Sequence, residues 1–341
     1  MLQALKQLGH EVVPFAWHSY FLPGDGPLGR FDAVLKKAQN KYLAGPILGR
    51  INRDLLALAA RERPRAIIVY RGTHVFAATL RKLRLAAPGA ILVGYNNDDP
   101  FAPTQFPLLF RHFLAGIPEY DLMLAYRDRN LDDYRRAGAR RVALLHSWYI
   151  PGRNEPVELD PGERGKYECD VVFVGHYEND GRIAFLEEIV RRGWRLRLFG
   201  PEWGTAAAAS PELSTLGPIF PVWGGEYNKA LCGAKIALCF FSKLNRDTYT
   251  RRCFEIPATR TLLLSEFSPD VAGFYRAGIE ADFFTNVDDM VCKIERYLAD
   301  EELRRSVAEA GWRRVRADGH DVVTRMQALV AQIESVTREK Q

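Results

Sequence analysis

Short apolar runs bounded by turn residues alternate along this chain with stretches whose apolar residues recur every three or four positions. The runs at 11–15 (EVVPF), 66–70 (AIIVY), 90–95 (AILVGY), 121–126 (DLMLAY) and 141–145 (RVALL) read as strands. The periodic stretches at 31–43, 47–62, 74–86 and 127–136 read as the helices between them. Strands that are apolar almost throughout are those covered on both faces. The alternation therefore predicts an α/β unit built on a parallel sheet.

Residues 151–166 (PGRNEPVELDPGERGK) break the pattern with prolines, glycines and charges, and read as a linker. A second alternating series follows, with strands expected at 170–175, 195–200, 218–223, 235–241, 261–265 and 281–284. Helices are expected near 181–192, 225–233, 250–259 and 268–277, and three more at 286–299, 301–317 and 321–337. The expected organisation is an N-terminal Rossmann-like domain over 1–150, a linker over 151–168 and a C-terminal Rossmann-like domain over 169–318. A final helix over 319–341 is expected to pack back on the first domain. Ligands of such sheets bind beyond the carboxyl ends of the strands, so two facing units would place the site in the cleft between them. The sequence given opens on a helical stretch, LQALKQLG, followed by 11–15. The strand and Gly-rich turn that normally precede the first helix of such a unit are expected to be missing.

Composition narrows the classes. Of 341 residues, 47% are hydrophobic and 26% charged, which fits a globular protein and excludes disordered and fibrous ones. No apolar run approaches the roughly 18 residues of a membrane span, and no signal-peptide core is present. The five cysteines include no CxxC pair, and read as buried thiols of a cytoplasmic protein with no disulfide frame and no zinc site. The net charge of +5, from 47 basic and 42 acidic residues, suits an anionic small molecule or loose contact with a membrane surface, and is too weak for nucleic acid. A P-loop, a GxGxxG fingerprint and a Ser nucleophile elbow are all lacking.

The segment 235–266 (KIALCFFSKLNRDTYTRRCFEIPATRTLLLSE) is the richest in candidate chemistry. A buried strand leads through a polar loop to a helix starting near Tyr249–Arg252, with Glu255 in its first turns and Asp247 eight residues earlier. Adjacent arginines at a helix start suit a phosphate, and a carboxylate suits a ribose diol. An ordinary solvated helix is the competing reading. In YNNDDPF (95–101), Asp98 and Asp99 follow a buried strand and so face the ligand side. Either is a candidate general base for a hydroxyl, or the segment is a turn and helix cap without chemistry. A metal on this pair is not expected, because no third ligand lies nearby. His74, at a strand end, is placed to reach the cleft, and His146 to line its hinge side. Tyr227 and Trp203 are the aromatics singled out as facing the ligand.

The stretch from Arg252 to Val315 resembles the C-terminal module of the CgeB-type glycosyltransferases, a branch of the two-Rossmann (GT-B) nucleotide-sugar enzymes. The likeness rests on Arg252, Phe254 and Glu255, then Leu262–Leu264, Glu266, Glu280, Phe284 and Asp288–Asp289. It extends more weakly to DVVFVGHYENDGR, EYNKALCGAKIAL, the NDDP turn and residues 120–145. The resemblance implies a metal-independent transferase that takes a sugar from a nucleotide-diphosphate donor, with no further cofactor. The acceptor would be a glycan, a lipid-linked molecule or a small molecule. Glu255 would hold the ribose, Arg252 and Arg182 the diphosphate, Asp247 the donor sugar, and Gly175 and His176 the donor cleft. An Arg at 260, where the family has a small residue or glycine, departs from the pattern and reads as a surface residue. The Arg-rich stretch 304–316 reads as a solvated helix face, and would suit an anionic lipid surface if the acceptor is membrane-bound. The rival readings are a non-catalytic glycan-binding or structural relative and a nucleotide-sugar epimerase.

Overall fold

A computed structural model describes residues 1–22, 29–106 and 108–340. The chain forms two compact units: Met1–His146 together with the residues from Met326 onward, and Ser147–Arg325.

The first unit opens with three helices, α1 (Leu2–Gln7), α2 (Gly29–Tyr42) and α3 (Pro46–Glu62). It continues through β1 (Ala66–Tyr70), α4 (Ala77–Ala86), β2 (Ile91–Asn96), α5 (Arg111–Gly116), β3 (Leu122–Ala125), α6 (Arg129–Arg136) and β4 (Val142–Leu144). The four strands are parallel and lie in sequence order. Every residue of β2 and β3 is buried, as their unbroken apolar runs require. Leu80, Leu83, Leu92, Phe113 and Met123 anchor the core beneath them. Each such side chain contributes roughly 1.5–3 kcal/mol by leaving water.

The expected strand at 11–15 does not form. Pro14 cannot donate to a ladder, and Val13 stands 44% exposed. As a result β1 is an edge strand, with Tyr70 46% exposed.

The second unit runs through α7 (Pro161–Tyr167), β5 (Cys169–Val174), α8 (Arg182–Arg191), β6 (Leu196–Phe199), α9 (Gly204–Ala208), α10 (Gly225–Cys232) and β7 (Ala234–Cys239). It then continues through α11 (Arg252–Ala258), β8 (Leu262–Glu266), α12 (Pro269–Phe274), β9 (Asp282–Phe284), α13 (Val287–Ala299), α14 (Glu301–Ala317) and the start of α15 (Val322–Lys340). Its five strands are parallel, in the order β6-β5-β7-β8-β9. Val171, Phe173, Ile236, Leu238, Leu262 and Leu264 pack the sheet against Leu186, Ile189 and Ile294.

Two expectations fail in this unit. Residues 218–223 form no strand, because Pro218 and Pro221 interrupt the run, and Phe220 and Trp223 face solvent. The second half of the expected linker is helical: Pro161 sits at the first helical position, and Asp160 and Glu163 form a capping box.

The first unit gives way to the second at His146–Ser147. The chain returns to the first unit at Met326, and there Arg141 pairs with Glu339 while Lys340 Nζ lies 2.6 Å from Asp121 Oδ1. Among the described residues no helix is long and apolar enough to cross a membrane.

Candidate functional site

In the second sheet the chain passes from β5 to β6 on one side and returns to β7 on the other. That reversal opens a crevice at the carboxyl ends of β5 and β7, where sheets of this kind bind ligands. The first sheet, with its strands in sequence order, shows no such reversal among the described residues.

β5 leaves the sheet through Gly175. A Cβ there would stand 2.7 Å from the Phe173 ring and 3.0 Å from Arg252 Nη2, so only glycine lets the guanidinium lie this close to the main chain. β6 ends at Gly200, whose φ of +149° and close packing allow no side chain, since a Cβ would fall 1.9 Å from the Gly175 carbonyl oxygen. That same oxygen accepts a 2.8 Å hydrogen bond from Trp203 Nε1. Trp203 is only 1% exposed and belongs to the core, which corrects its expected place among ligand-facing aromatics.

The loop after Gly175 carries a polar cluster. His176 is exposed, and its Nε2 lies 2.8 Å from Oε1 of the buried Glu178. The other Glu178 oxygen accepts a 3.0 Å bond from Ser242 Oγ, in the loop after β7. Burial pushes the Glu178 carboxyl up, but the bonds from His176 and Ser242 and the Arg182 charge outweigh it and hold it below the usual range. Arg182 opens α8, yet it is only 4% exposed. It clasps Asp180 with bonds of 2.8 and 2.6 Å and donates to the His176 carbonyl oxygen at 2.8 Å. The expected phosphate contact is therefore engaged within the protein, where it fixes the shape of this loop.

Around α11 the half-buried Glu255 receives a 2.7 Å bond from Tyr227 Oη and pairs with Arg251 Nε at 3.1 Å. Arg251 also donates to the Trp148 carbonyl oxygen at 3.2 Å. Arg252 differs from its neighbour. It is half-buried, lies 5.9 Å from the Phe173 ring centre, and among the described residues makes no ion pair and no hydrogen bond. Burial pulls its pKa down, while Tyr227, Cys239 and Glu255 pull it up more strongly, so it stays charged. Asp247 is half-buried in the loop after β7, its backbone N–H bonded to the Ser242 carbonyl at 2.8 Å. Arg260 is exposed with a left-handed φ of +61° at the end of α11, where a glycine would be relaxed, and it pairs with Glu309 over the Trp312 ring.

In the first unit the two aspartates part company. Asp99 is wholly buried, accepting 3.0 Å bonds from the Phe101 N–H and from Asn130 Nδ2, which is a turn-building role. A general base must reach its proton, so Asp99 is not placed for that task. Asp98 keeps some exposure and pairs with Arg71 at 2.6 Å. His74 is 5% exposed, stacked 4.0 Å from Trp17 with Nε2 2.8 Å from Asn40 Oδ1, so it is a packing residue. His146 is half-buried, with Nε2 3.6 Å from Asp128 Oδ2.

Sequence reasoning missed Glu178 and Ser242. Their link spans 64 positions and becomes visible only when β5 and β7 lie side by side. A cavity of about 950 Å³ opens at the opposite, amino edge of the same sheet, lined among others by Cys169, Lys235, Arg260 and Arg304, and includes neither Glu178, Ser242, Arg252 nor Glu255.

The two Rossmann-like parallel-sheet units match GT-B glycosyltransferase structures. Anabaena HepE in complex with UDP superposes with a TM-score of 0.63 at 12% identity, over 85% of this chain and 84% of that one. HepE with UDP and glucose gives 0.63 at 12% identity, over 98% and 89%. Sucrose-phosphate synthase from Thermosynechococcus elongatus gives 0.62 at 13% identity, over 85% and 78%. Residues 182–331, which include α10, α11 and the Glu255 cluster, match a family model described as glycosyl transferase-like. No match was found among curated proteins.

Proposed function

We propose that this chain is a glycosyltransferase whose second unit holds a nucleotide-diphosphate sugar at the β5/β7 crevice. The carrying observation is Arg252, a half-buried guanidinium with no hydrogen bond or ion pair among the described residues, beside a glycine-cleared stretch of main chain. An unpaired charge withdrawn from water is costly, and a diphosphate offsets that cost with charge-assisted bonds. Glu255, three residues on, is supported as the ribose acceptor because Tyr227 and Arg251 already orient it. A carboxylate offers about four lone-pair sites, so two remain for a diol.

In this reading, transfer breaks the bond from the sugar's anomeric carbon to the diphosphate oxygen and forms one to an acceptor hydroxyl oxygen. The hydroxyl loses its proton, and negative charge grows on the departing diphosphate. Arg252 supplies the compensating positive field and His176 a ring nitrogen beside it, and this is the basis for reading the reaction as metal-independent. Asp247 is kept as a group near the donor sugar. In the first unit the reading retains Asp98 and sets Asp99 aside. The CgeB-type assignment rests on the run from Arg252, Phe254 and Glu255 through Leu262–Leu264, Glu266, Glu280, Phe284 and Asp288–Asp289, and is part of the same proposal.

UDP is the first probe, because structural neighbours hold it. Calorimetry with UDP, GDP and dTDP is expected to show binding of at least one. Arg252→Gln and Glu255→Ala are each expected to weaken it about tenfold or more, as loss of a hydrogen bond to a charged group does. Absence of binding by all three, or binding indifferent to both substitutions, defeats the proposal.

A further inference from the structure

Glu178 is a buried carboxylate that the proposed transfer does not use. Its surroundings are specific. One oxygen receives the Nε2 proton of His176, the other receives the Ser242 hydroxyl, and Arg182 Nη2 lies 3.7 Å away. Its side chain is 5% exposed, while that of His176 is 48% exposed. The acid is thus sealed below the loop and the imidazole stands above it. With Nε2 committed to Glu178, the ring is fixed in orientation and Nδ1 is left without a partner among the described residues. When both ring nitrogens carry protons, Nδ1–H is a donor suited to a phosphate oxygen.

The loop that carries His176 is held rigidly from below. Arg182 donates to the His176 carbonyl oxygen at 2.8 Å, and its guanidinium is fixed in turn by Asp180. Gly175, the residue before His176, is the one beside Arg252 Nη2. His176 and the Arg252 guanidinium therefore lie on one stretch of main chain.

We propose that Glu178 is a positioning residue that acts through His176, holding the imidazole with Nδ1 turned to the diphosphate of the donor. This rests on the nucleotide-sugar reading of the same crevice. The competing role, bracing the loops after β5 and β7 through Ser242, makes a different prediction, because bracing does not depend on His176.

The test is a double-substitution cycle read by calorimetry with UDP, UMP and uridine. His176→Ala removes one partner of the buried Glu178 and is expected to lower the thermal midpoint while leaving the protein folded. It should weaken UDP about tenfold and leave uridine unaffected. Glu178→Gln is expected to weaken UDP similarly in the native background, and to have no further effect once His176 is alanine. Ser242→Ala is expected to change UDP affinity less than threefold. Equal losses from Glu178→Gln with and without His176 would assign the residue to bracing and overturn the proposal. So would unchanged UDP affinity in His176→Ala, a readout that holds even if Glu178→Gln does not fold. If the unaltered protein binds none of UDP, GDP and dTDP, the donor reading itself falls and this inference with it. If it binds one of them and the cycle is additive, only the role of Glu178 falls.

Discussion

Tyr227 Oη donates to Glu255 Oε2 across 2.7 Å, tying the first turn of α10 to the first turn of α11. Burial and the neighbouring Glu255 charge both raise the tyrosine's pKa, so it remains a donor at any physiological pH. The bond leaves Glu255 one fixed rotamer and a free edge.

Tyr227→Phe is therefore expected to loosen Glu255 without removing it. UDP affinity should fall about three- to tenfold, less than in Glu255→Ala, while far-UV dichroism stays unchanged. Titration calorimetry on the three proteins checks the order; an affinity equal to that of the unaltered protein would show that Tyr227 only packs.

Gly200→Ala should be among the most damaging single-methyl additions in the chain. The new Cβ would fall 1.9 Å from the Gly175 carbonyl oxygen, a backbone atom that cannot rotate away, at a φ of +149°. The expected cost is about 3 kcal/mol or more. Urea unfolding gives the number, and a loss under 1 kcal/mol would mean that the two loops move apart freely.

His74 makes the first unit acid-sensitive. Burial, with lesser contributions from His112 and Arg71, lowers its pKa from 6.5 to about 4. The unfolded chain therefore binds a proton near pH 6.5 that the folded chain refuses until about pH 4. Stability from this group is complete above pH 6.5 and drains away as the pH falls to 4, by up to about 3 kcal/mol at 1.36 kcal/mol per pKa unit. Denaturant midpoints from pH 7 to 4 should slope downward, and more shallowly in His74→Gln. An identical slope in the two proteins would place the sensitivity elsewhere.

Asp121 gathers the partners of a buried acid: the Leu92 N–H at 2.9 Å, Arg84 Nη2 at 3.0 Å and Lys340 Nζ at 2.6 Å, with its side chain 1% exposed. Asp121→Ala strands the Leu92 donor but leaves two partly exposed cations that water can serve. The expected loss is about 2–3 kcal/mol. Lys340→Ala, at a side chain 40% exposed, should cost under about 1 kcal/mol. Chemical denaturation of both variants tests the ranking, and a reversed order would refute it.

Most strands were legible because apolar runs without prolines can do little else in a chain with this alternation. The two misread runs carry Pro14, or Pro218 and Pro221, and hydrophobicity alone hid that they cannot donate to a ladder. Arg252 and Glu255 were legible because they sit together in sequence. Arg182 was legible as a charge but not as a satisfied one, since its partner Asp180 reads equally well as solvated. Trp203 and Asp99 were misplaced for a related reason: whether a polar tip is spent inside or offered outside depends on neighbours such as Gly175 and Asn130. Glu178 gave no sign at all, because its meaning lies in Ser242, which another strand delivers.

The chain leaves its first unit after His146 and re-enters it at Met326, so the first unit is assembled from two separated stretches. A ribosome emits residues in order. The segment bearing the lysine that seats on Asp121 emerges only after all of Ser147–Arg325 has been made. Translation therefore gives the second unit the chance to mature first, while its predecessor waits, with one buried acid short of a cation, for the tail to come round.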